Sequence, residues 1–330
     1  MKNKVILYNA FIFLLLLIVL EFTFRLLGFG YENAPLENNS YLHHKNPENY
    51  SFKCYTPNGE YGGHNIYFDS IGRRTNQTKQ MNSGNEDVWF FGDSFTAAFQ
   101  VDWKNSYVGI LDSLSKYNAK NFAVSSYSPL LYYLQLKLHL QNKQKPKKVF
   151  IQLYSNDIEG DKMYAKHSIF ENNIPIACVG EDPNYIIRYL RKLYIARVLR
   201  KTQLTLKYMF SNKKEELRVN RHVEAATEID SNSQFCKNIL RIKSLLEANE
   251  IEYYFYAIPS KYACISGDWQ SATFATNMNN YFQNNNIPFI DLNTVFKSHT
   301  EPASLFYIKD IHCNENGNRI IANTLINKLQ

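Results

Sequence analysis

The sequence of 330 residues has few of the features that mark metal, nucleotide or nucleic-acid binding. Its five cysteines are scattered without a Cys-x-x-Cys pair, which argues against structural zinc, and their odd number leaves at least one thiol outside an intramolecular disulfide. There is no Gly-rich phosphate loop, internal repeat or nucleic-acid-binding module. Lys and Arg (37) exceed Asp and Glu (30) only mildly, a net charge of +7. We therefore expect no metal, no cofactor and no nucleic-acid partner.

The chain is nevertheless rich in apolar residues, which make up 45% of it and form one long run near the N-terminus. Val5 to Leu20 is almost wholly apolar, and the run continues to Leu27 past Glu21 and Arg25. A helix from Val5 to Leu27 would span roughly 34 Å, enough for a bilayer core of about 30 Å. Glu21 and Arg25 are four residues apart and can pair on one helix face, which lowers the cost of both charges.

The flanking charges predict the orientation of this segment. Lys2 and Lys4 precede the apolar run, so the positive-inside rule places the N-terminus in the cytoplasm and everything after Tyr31 outside, in the periplasm or at the cell surface. A cleaved signal peptide is the competing interpretation, but no small-x-small cleavage site follows the run. A buried core helix is a weaker alternative, because the run is long and N-terminal. We therefore expect an uncleaved membrane anchor.

From residue 86 onwards, short apolar segments alternate with helical patterns, which predicts β-α-β units on a mostly parallel, doubly wound sheet with helices on both faces. We expect an anchor over 1–30, a lead-in segment over 31–85 and an α/β domain over 86–330. The middle of that domain, about 160–232, interrupts the alternation. The expected elements are strands at 88–91, 120–124, 148–154, 251–258 and 289–292, and helices at 107–117, up to about 140, 234–248, 272–284 and from about 316.

The interrupting segment carries charge of one sign only. No acidic residue lies between Asp182 and Glu215, whereas nine Lys and Arg residues do. Apolar residues at helical spacing predict an amphipathic helix whose basic face is solvated. A functional alternative is a basic surface over 183–214 that contacts anionic lipid headgroups or an acidic glycan.

Four polar residues follow predicted strands or precede the last helix, and together they suggest nucleophilic catalysis. Ser94 follows an apolar strand, and Asn156 follows another, so both should lie at the carboxyl edge of the sheet, where open α/β sheets bind ligands. Asp310 and His312 are two residues apart in a loop, so the carboxylate can orient the imidazole. A serine nucleophile needs such a base, an orienting acid and oxyanion donors. Each motif alone is also ordinary turn or capping chemistry.

These motifs resemble those of the SGNH/GDSL hydrolase superfamily, and in particular its membrane-anchored bacterial members associated with surface polysaccharide acylation. The first sequence block of the family is similar to Gly92-Asp93-Ser94-Phe95-Thr96, and the third is similar to Ser155-Asn156-Asp157. The place of the second block is taken by Asn121-Phe122-Ala123, with Ala123 where the family has glycine. The last block is similar to Asp310-Ile311-His312. Asp69-Ser-Ile-Gly-Arg resembles a stretch that often precedes the first block. Ala97 to Val101 replaces the usual Gly-containing turn, and the middle insertion has no counterpart.

The resemblance implies a three-layer, flavodoxin-like fold and a set of roles. Ser94 would be the nucleophile, His312 the general base and Asp310 its orienting acid, while the backbone N–H groups of Ser94 and Ala123 and the side chain of Asn156 would form the oxyanion hole. The implied activity is hydrolysis or transfer of an O-acyl group, most simply acetyl, on a cell-surface or lipid-linked glycan, with polysaccharide-synthesis proteins as the implied partners. Two alternatives remain open: a non-catalytic glycan-binding or assembly protein, and a lipolytic esterase acting on membrane lipid.

Overall fold

A computed structural model describes most of the chain. The described residues are 2–27, 34–56, 59–76, 86–114, 116–142, 145–181, 185–190, 192–210, 229–267, 269 and 273–329.

The centre of the described structure is an eight-stranded sheet in the order β12-β11-β8-β6-β7-β5-β4-β3. The first five strands in this order run parallel to their neighbours, and the last three are antiparallel. Two short hairpins, β1–β2 and β9–β10, lie outside it. The strands are β1 (Glu37–Asn39), β2 (His43–Lys45), β3 (Ser51–Tyr55), β4 (Gly62–Phe68), β5 (Arg74–Thr75), β6 (Asp87–Phe91), β7 (Asn118–Asn121), β8 (Lys148–Leu153), β9 (Ser168–Glu171), β10 (Ile174–Cys178), β11 (Glu252–Ala257) and β12 (Phe289–Asp291).

Helices cover both faces of the sheet, which confirms the predicted three-layer α/β architecture. Side chains alternate along β6: Trp89 and Phe91 belong to one buried cluster, and Val88 and Phe90 to the other. Such burial on both faces is typical of parallel strands. The described helices are α1 (Lys2–Leu27), α2 (Ser94–Ala97), α3 (Tyr107–Leu114), α4 (Pro129–Gln141), α5 (Asp157–Ala165), α6 (Tyr185–Leu190), α7 (Tyr194–Phe210), α8 (Gln234–Ala248), α9 (Lys261–Ser266), α10 (Thr273–Asn284), α11 (Leu292–Lys297) and α12 (Glu315–Ile326).

Most predicted elements occur where the sequence placed them, and the boundaries differ by a few residues. The helix predicted over 234–248 is α8, whereas that predicted over 107–117 ends at Leu114. The strand predicted over 120–124 is β7, which begins and ends earlier. After Asn121 the N–H groups of Phe122 and Val124 still donate to the carbonyls of Phe90 and Gly92 at 2.8 and 3.2 Å, while the N–H of Ala123 donates to Asn121 Oδ1 at 3.0 Å.

The N-terminal apolar run forms the single helix α1, of which Lys4–Leu27 has the length and composition of a membrane span or signal anchor. None of this window is buried against the rest of the described chain. The predicted pairing within it is present, with the Arg25 guanidinium 2.8 Å from the Glu21 carboxylate.

The lead-in segment contributes strands β3, β4 and β5 to the central sheet and one buried cation beneath it. The guanidinium of Arg74 is almost fully buried and donates to the carbonyls of Ala97, Ala98 and Val101, at 2.7 Å for Ala97 and for Val101. Ala98 has a φ of +50°, the left-handed region in which a side chain is disfavoured. Arg74 therefore fixes the turn formed by Ala97 to Val101.

We expect Arg74→Met to lower the free energy of unfolding by about 3–5 kcal/mol, because it leaves three carbonyls beneath the sheet without their charged donor. The neighbouring Arg73 is the matched control. It pairs with Asp69 at 2.7 Å, and both side chains keep some contact with solvent, so Arg73→Met should cost less, about 1–2 kcal/mol. Equilibrium denaturant unfolding of the three proteins measures both values, and equal losses would contradict the structural role assigned to Arg74.

Candidate active site

Ser94 lies at the carboxyl edge of the sheet because β6 ends at Phe91 and the chain turns there into α2. Gly92 permits this turn, since a Cβ on it would lie 2.0 Å from Thr96 Oγ1 and 2.6 Å from Gln152 Oε1. Asp93 caps α2 by accepting the N–H of Phe95 at 2.9 Å. Ser94 is half-buried, whereas the residues on both sides of it are buried. The serine is thus held at the surface by a buried framework.

The structure brings His312 and Asp310 to Ser94, although 218 residues separate the serine from the histidine. His312 Nε2 lies 2.8 Å from Ser94 Oγ, and His312 Nδ1 lies 2.5 Å from Asp310 Oδ1. The same carboxylate oxygen accepts the backbone N–H of His312 at 2.8 Å. The hydroxyl, imidazole and carboxylate therefore form one continuous chain of hydrogen bonds, in which a proton can pass from the hydroxyl to the ring.

The Asp310 carboxylate has a third partner that the motifs did not indicate. Tyr61, at the turn between β3 and β4, donates its hydroxyl to Asp310 Oδ2 at 3.0 Å. The ring of Tyr61 packs against that of Tyr307 at 4.9 Å between centroids. No sequence pattern signals Tyr61, because its contact with Asp310 joins positions 249 residues apart.

The loop that carries Asp310 is also held on its backbone from two sides. The Glu60 carboxylate accepts the N–H groups of Ile308, Lys309 and Asp310, with distances of 2.9 Å for Lys309 and 3.2 Å for Asp310. On the other side, Lys261 Nζ donates to the carbonyls of Ile308 and Asp310 at 2.7 and 3.0 Å. Opposite charges thus fix the amide and carbonyl groups of one short loop.

The three predicted oxyanion donors differ in availability. The backbone N–H of Ser94 and the side-chain amide of Asn156 meet no acceptor among the described residues, and Asn156 is exposed just after β8, the neighbour of β6 in the sheet. The N–H of Ala123, by contrast, is buried and donates to Asn121 Oδ1. Asn121 is in turn fixed by donating to the carbonyl of Thr96 at 2.8 Å. Two of the three donors are therefore open to a ligand.

The pKa values of the acidic groups around the site are shifted in opposite directions. Burial alone would raise the pKa of Asp310, but its hydrogen bonds with His312 and the imidazolium charge hold that pKa below the usual value. The pKa of Asp93, beneath α2, is raised to about 6 by burial. Burial and the neighbouring Asp93 raise the pKa of Asp157 well above its ordinary value. The carboxylate beside the imidazole is thus the one whose charged form is favoured.

The surroundings of the site are aromatic on one side and polar on the other. The ring of Phe95 packs on the imidazole of His312 at 4.6 Å between centroids. An open cavity of about 690 Å³ is lined by Tyr61 and Tyr307 together with polar side chains, among them Asp102, Asn105 and Glu315. Within the described ranges, no three His, Cys, Asp or Glu side chains come together as metal ligands would.

Comparison with known proteins gives similarity of structure only. No family model matches the chain, and no curated protein matches its sequence. Among solved structures, a lipolytic protein of the G-D-S-L family from Desulfitobacterium hafniense has 16% identity and a TM-score of 0.42, covering 74% of this chain and 100% of its own. A member of the same family from Veillonella parvula has 14% identity and a TM-score of 0.42, with coverages of 73% and 96%. A GDSL-like lipase from Bacteroides thetaiotaomicron has 13% identity and a TM-score of 0.40, with coverages of 76% and 91%.

We expect Tyr61→Phe to slow the reaction of Ser94 with a fluorophosphonate by about 10- to 100-fold, because a hydrogen bond to a charged group is worth roughly 1.5–3 kcal/mol. Tyr307→Phe is the matched control. Its ring neighbours that of Tyr61, but its hydroxyl donates to the neutral carbonyl of Gln100 at 3.0 Å, so labelling should stay close to the wild-type rate. The labelling rates of the wild-type protein and the two variants, all folded, test this prediction. An unchanged rate in Tyr61→Phe would show that Tyr61 does not position Asp310 for the reaction.

Proposed function

We propose that the protein is a serine-dependent O-acyl esterase or acyltransferase acting on a cell-surface carbohydrate, with acetyl as the simplest acyl group. The observation that carries the proposal is the chain of contacts from Ser94 Oγ to His312 Nε2 at 2.8 Å and from His312 Nδ1 to Asp310 at 2.5 Å. A serine hydroxyl is a weak nucleophile, and this arrangement supplies the base and the orienting acid that it requires.

In the proposed reaction, Ser94 Oγ attacks the ester carbonyl and its proton passes to His312 Nε2. The imidazolium that forms is stabilised by Asp310, and the N–H of Ser94 with the amide of Asn156 stabilises the oxyanion. The tetrahedral intermediate collapses to an acyl-Ser94 ester, and the alcohol leaves with the proton from His312. Water or a sugar hydroxyl then attacks that ester by the same steps, which gives hydrolysis or transfer.

The carbohydrate class of substrate rests on the motif resemblance, because the polar cavity beside the loop is not lined by Ser94, His312 or Asn156. The lining of this cavity is largely polar, and the hydroxyls of its two tyrosines already donate to Asp310 and to the carbonyl of Gln100. A pocket for a long acyl chain would be mostly apolar. The apolar helix α1 supports a place at the membrane, and with the charges of Lys2 and Lys4 it favours an extracytoplasmic position for the domain.

Labelling with a fluorophosphonate tests whether the protein is an enzyme. We expect the wild-type protein to be labelled and both Ser94→Ala and His312→Gln to lose labelling by at least about 100-fold, since the first removes the nucleophile and the second its base. Ser113, an exposed serine in α3, is the control, and Ser113→Ala should be labelled like wild type. A folded wild-type protein without label would favour the alternative of a non-catalytic glycan-binding or assembly protein, in line with the occupied N–H of Ala123.

Product analysis tests the substrate class. We expect the protein to release acetate from an O-acetylated polysaccharide of its own cell surface, or to transfer acetyl to that polysaccharide, and to release no fatty acid from phospholipid vesicles. Ser94→Ala, assayed in parallel, sets the background. Fatty-acid release that depends on Ser94, without acetate release, would replace the carbohydrate proposal by a lipolytic esterase.

A further inference from the structure

Helix α7 carries an outward apolar stripe, defined by Leu199, Leu206 and Phe210. These residues are separated by seven and four positions, so at 3.6 residues per turn they lie on one face of the helix. All three are exposed, Leu199 by 65%, Leu206 by 49% and Phe210 by 84%. No described element covers this stripe, which is unusual for side chains of such size in a row.

The opposite face of α7 is packed against the protein. Arg197 is buried, and its guanidinium lies over the ring of Tyr194, one turn earlier in the same helix, at 5.5 Å. Farther along the helix, Lys201 Nζ lies over the ring of Tyr55 in the edge strand β3 at 5.4 Å. The helix is thus fixed to the domain by one face and presents its apolar stripe on the other.

The beginning of α7 is fastened directly to α1. The two carboxylate oxygens of Glu21 accept the backbone N–H groups of Tyr194 and Ile195 at 3.1 and 3.0 Å. Arg25 pairs with Glu21 and lies over the ring of Tyr194 at 4.9 Å. Glu21 is the first charged residue after Val5 to Leu20 and lies six residues before the end of α1 at Leu27, so this junction is in the C-terminal part of α1, towards the membrane interface.

The charge around the stripe fits an anionic surface. No acidic residue lies between Asp182 and Glu215 in the sequence, and Arg200, on the flank of the stripe, is exposed and meets no carboxylate among the described residues. An apolar stripe bordered by cations is the pattern of a helix that lies in the headgroup region of a membrane.

We infer that α7 is an interfacial helix, which lies on the outer leaflet beside the anchor and inserts Leu199, Leu206 and Phe210 between anionic lipids. This inference rests on the membrane anchoring that forms part of the proposed function. Because Lys201 of α7 contacts Tyr55 of β3, in the sheet whose strand β6 leads into Ser94, contact of α7 with lipid would set the orientation of the catalytic domain relative to the membrane. Ser94 would then be held at a constant distance from the membrane surface, where a cell-surface substrate lies.

The test places an environment-sensitive fluorophore on the stripe. The five native cysteines are buried, so Leu206→Cys can be labelled selectively in the full chain. Leu114→Cys, 65% exposed in α3, is the matched control. After reconstitution into vesicles of equimolar phosphatidylcholine and phosphatidylglycerol, we expect blue-shifted emission and quenching by lipid-attached quenchers at position 206, and neither at 114. Replacing phosphatidylglycerol by phosphatidylcholine should weaken the quenching.

Three other results would overturn the inference. If the chain floats with vesicles but position 206 emits like position 114, α7 lies in water and the anchor alone binds lipid. If the emission shifts with the protein-to-lipid ratio and lipid-attached quenchers have no effect, the stripe binds a second copy of the chain. If the full chain does not float with vesicles, the anchoring fails as well. Fluorophosphonate labelling of Ser94 in the same samples reports separately on the proposed reaction.

Discussion

The hydrogen bonds from the buried Arg74 guanidinium to the carbonyls of Ala97, Ala98 and Val101 are the contact on which the geometry of the site depends. These carbonyls belong to the turn that directly follows Ser94, and one of its residues has a left-handed backbone. A buried guanidinium is costly unless its donors are satisfied, and the three carbonyls satisfy them. The charge and the turn therefore stabilise each other, and the antiparallel strands of the lead-in are tied to the parallel half of the sheet.

The same lead-in reaches the other end of the chain. Its turn between β3 and β4 supplies Glu60 to the backbone of residues 308–310 and Tyr61 to the Asp310 carboxylate. Lys261 holds that loop from the opposite side. Short loops are otherwise among the less rigid parts of a fold, and fixing both the backbone and the carboxylate keeps the imidazole of His312 at hydrogen-bond distance from Ser94. The lead-in thus holds both Ser94 and His312 in place.

The apolar helix α1 and the α/β domain are linked through one acidic residue. Glu21 interrupts the apolar run of α1 and accepts the first N–H groups of α7, while Lys201 of α7 lies over the ring of Tyr55 in the edge strand β3. A negative charge at a helix N-terminus is favourable, because it satisfies N–H groups that have no partner within the helix. Helix α1 is therefore connected to the α/β domain through α7.

The sequence alone determined the three-layer α/β class, because strand and helix periodicities and their alternation are local properties. It also determined the apolar helix α1 with its Glu21–Arg25 pair, and it singled out Ser94, Asn156, Asp310 and His312, since each lies in a short motif at the end of a strand or before a helix. Only the tertiary structure decided that Tyr61 and Glu60 hold the Asp310 loop, that Arg74 fixes the turn after Ser94, and that the N–H of Ala123 is taken by Asn121. The contacts of Tyr61, Glu60 and Arg74 join residues far apart in the chain, and that of Ala123 depends on a single side-chain rotamer. No local pattern encodes either kind of contact.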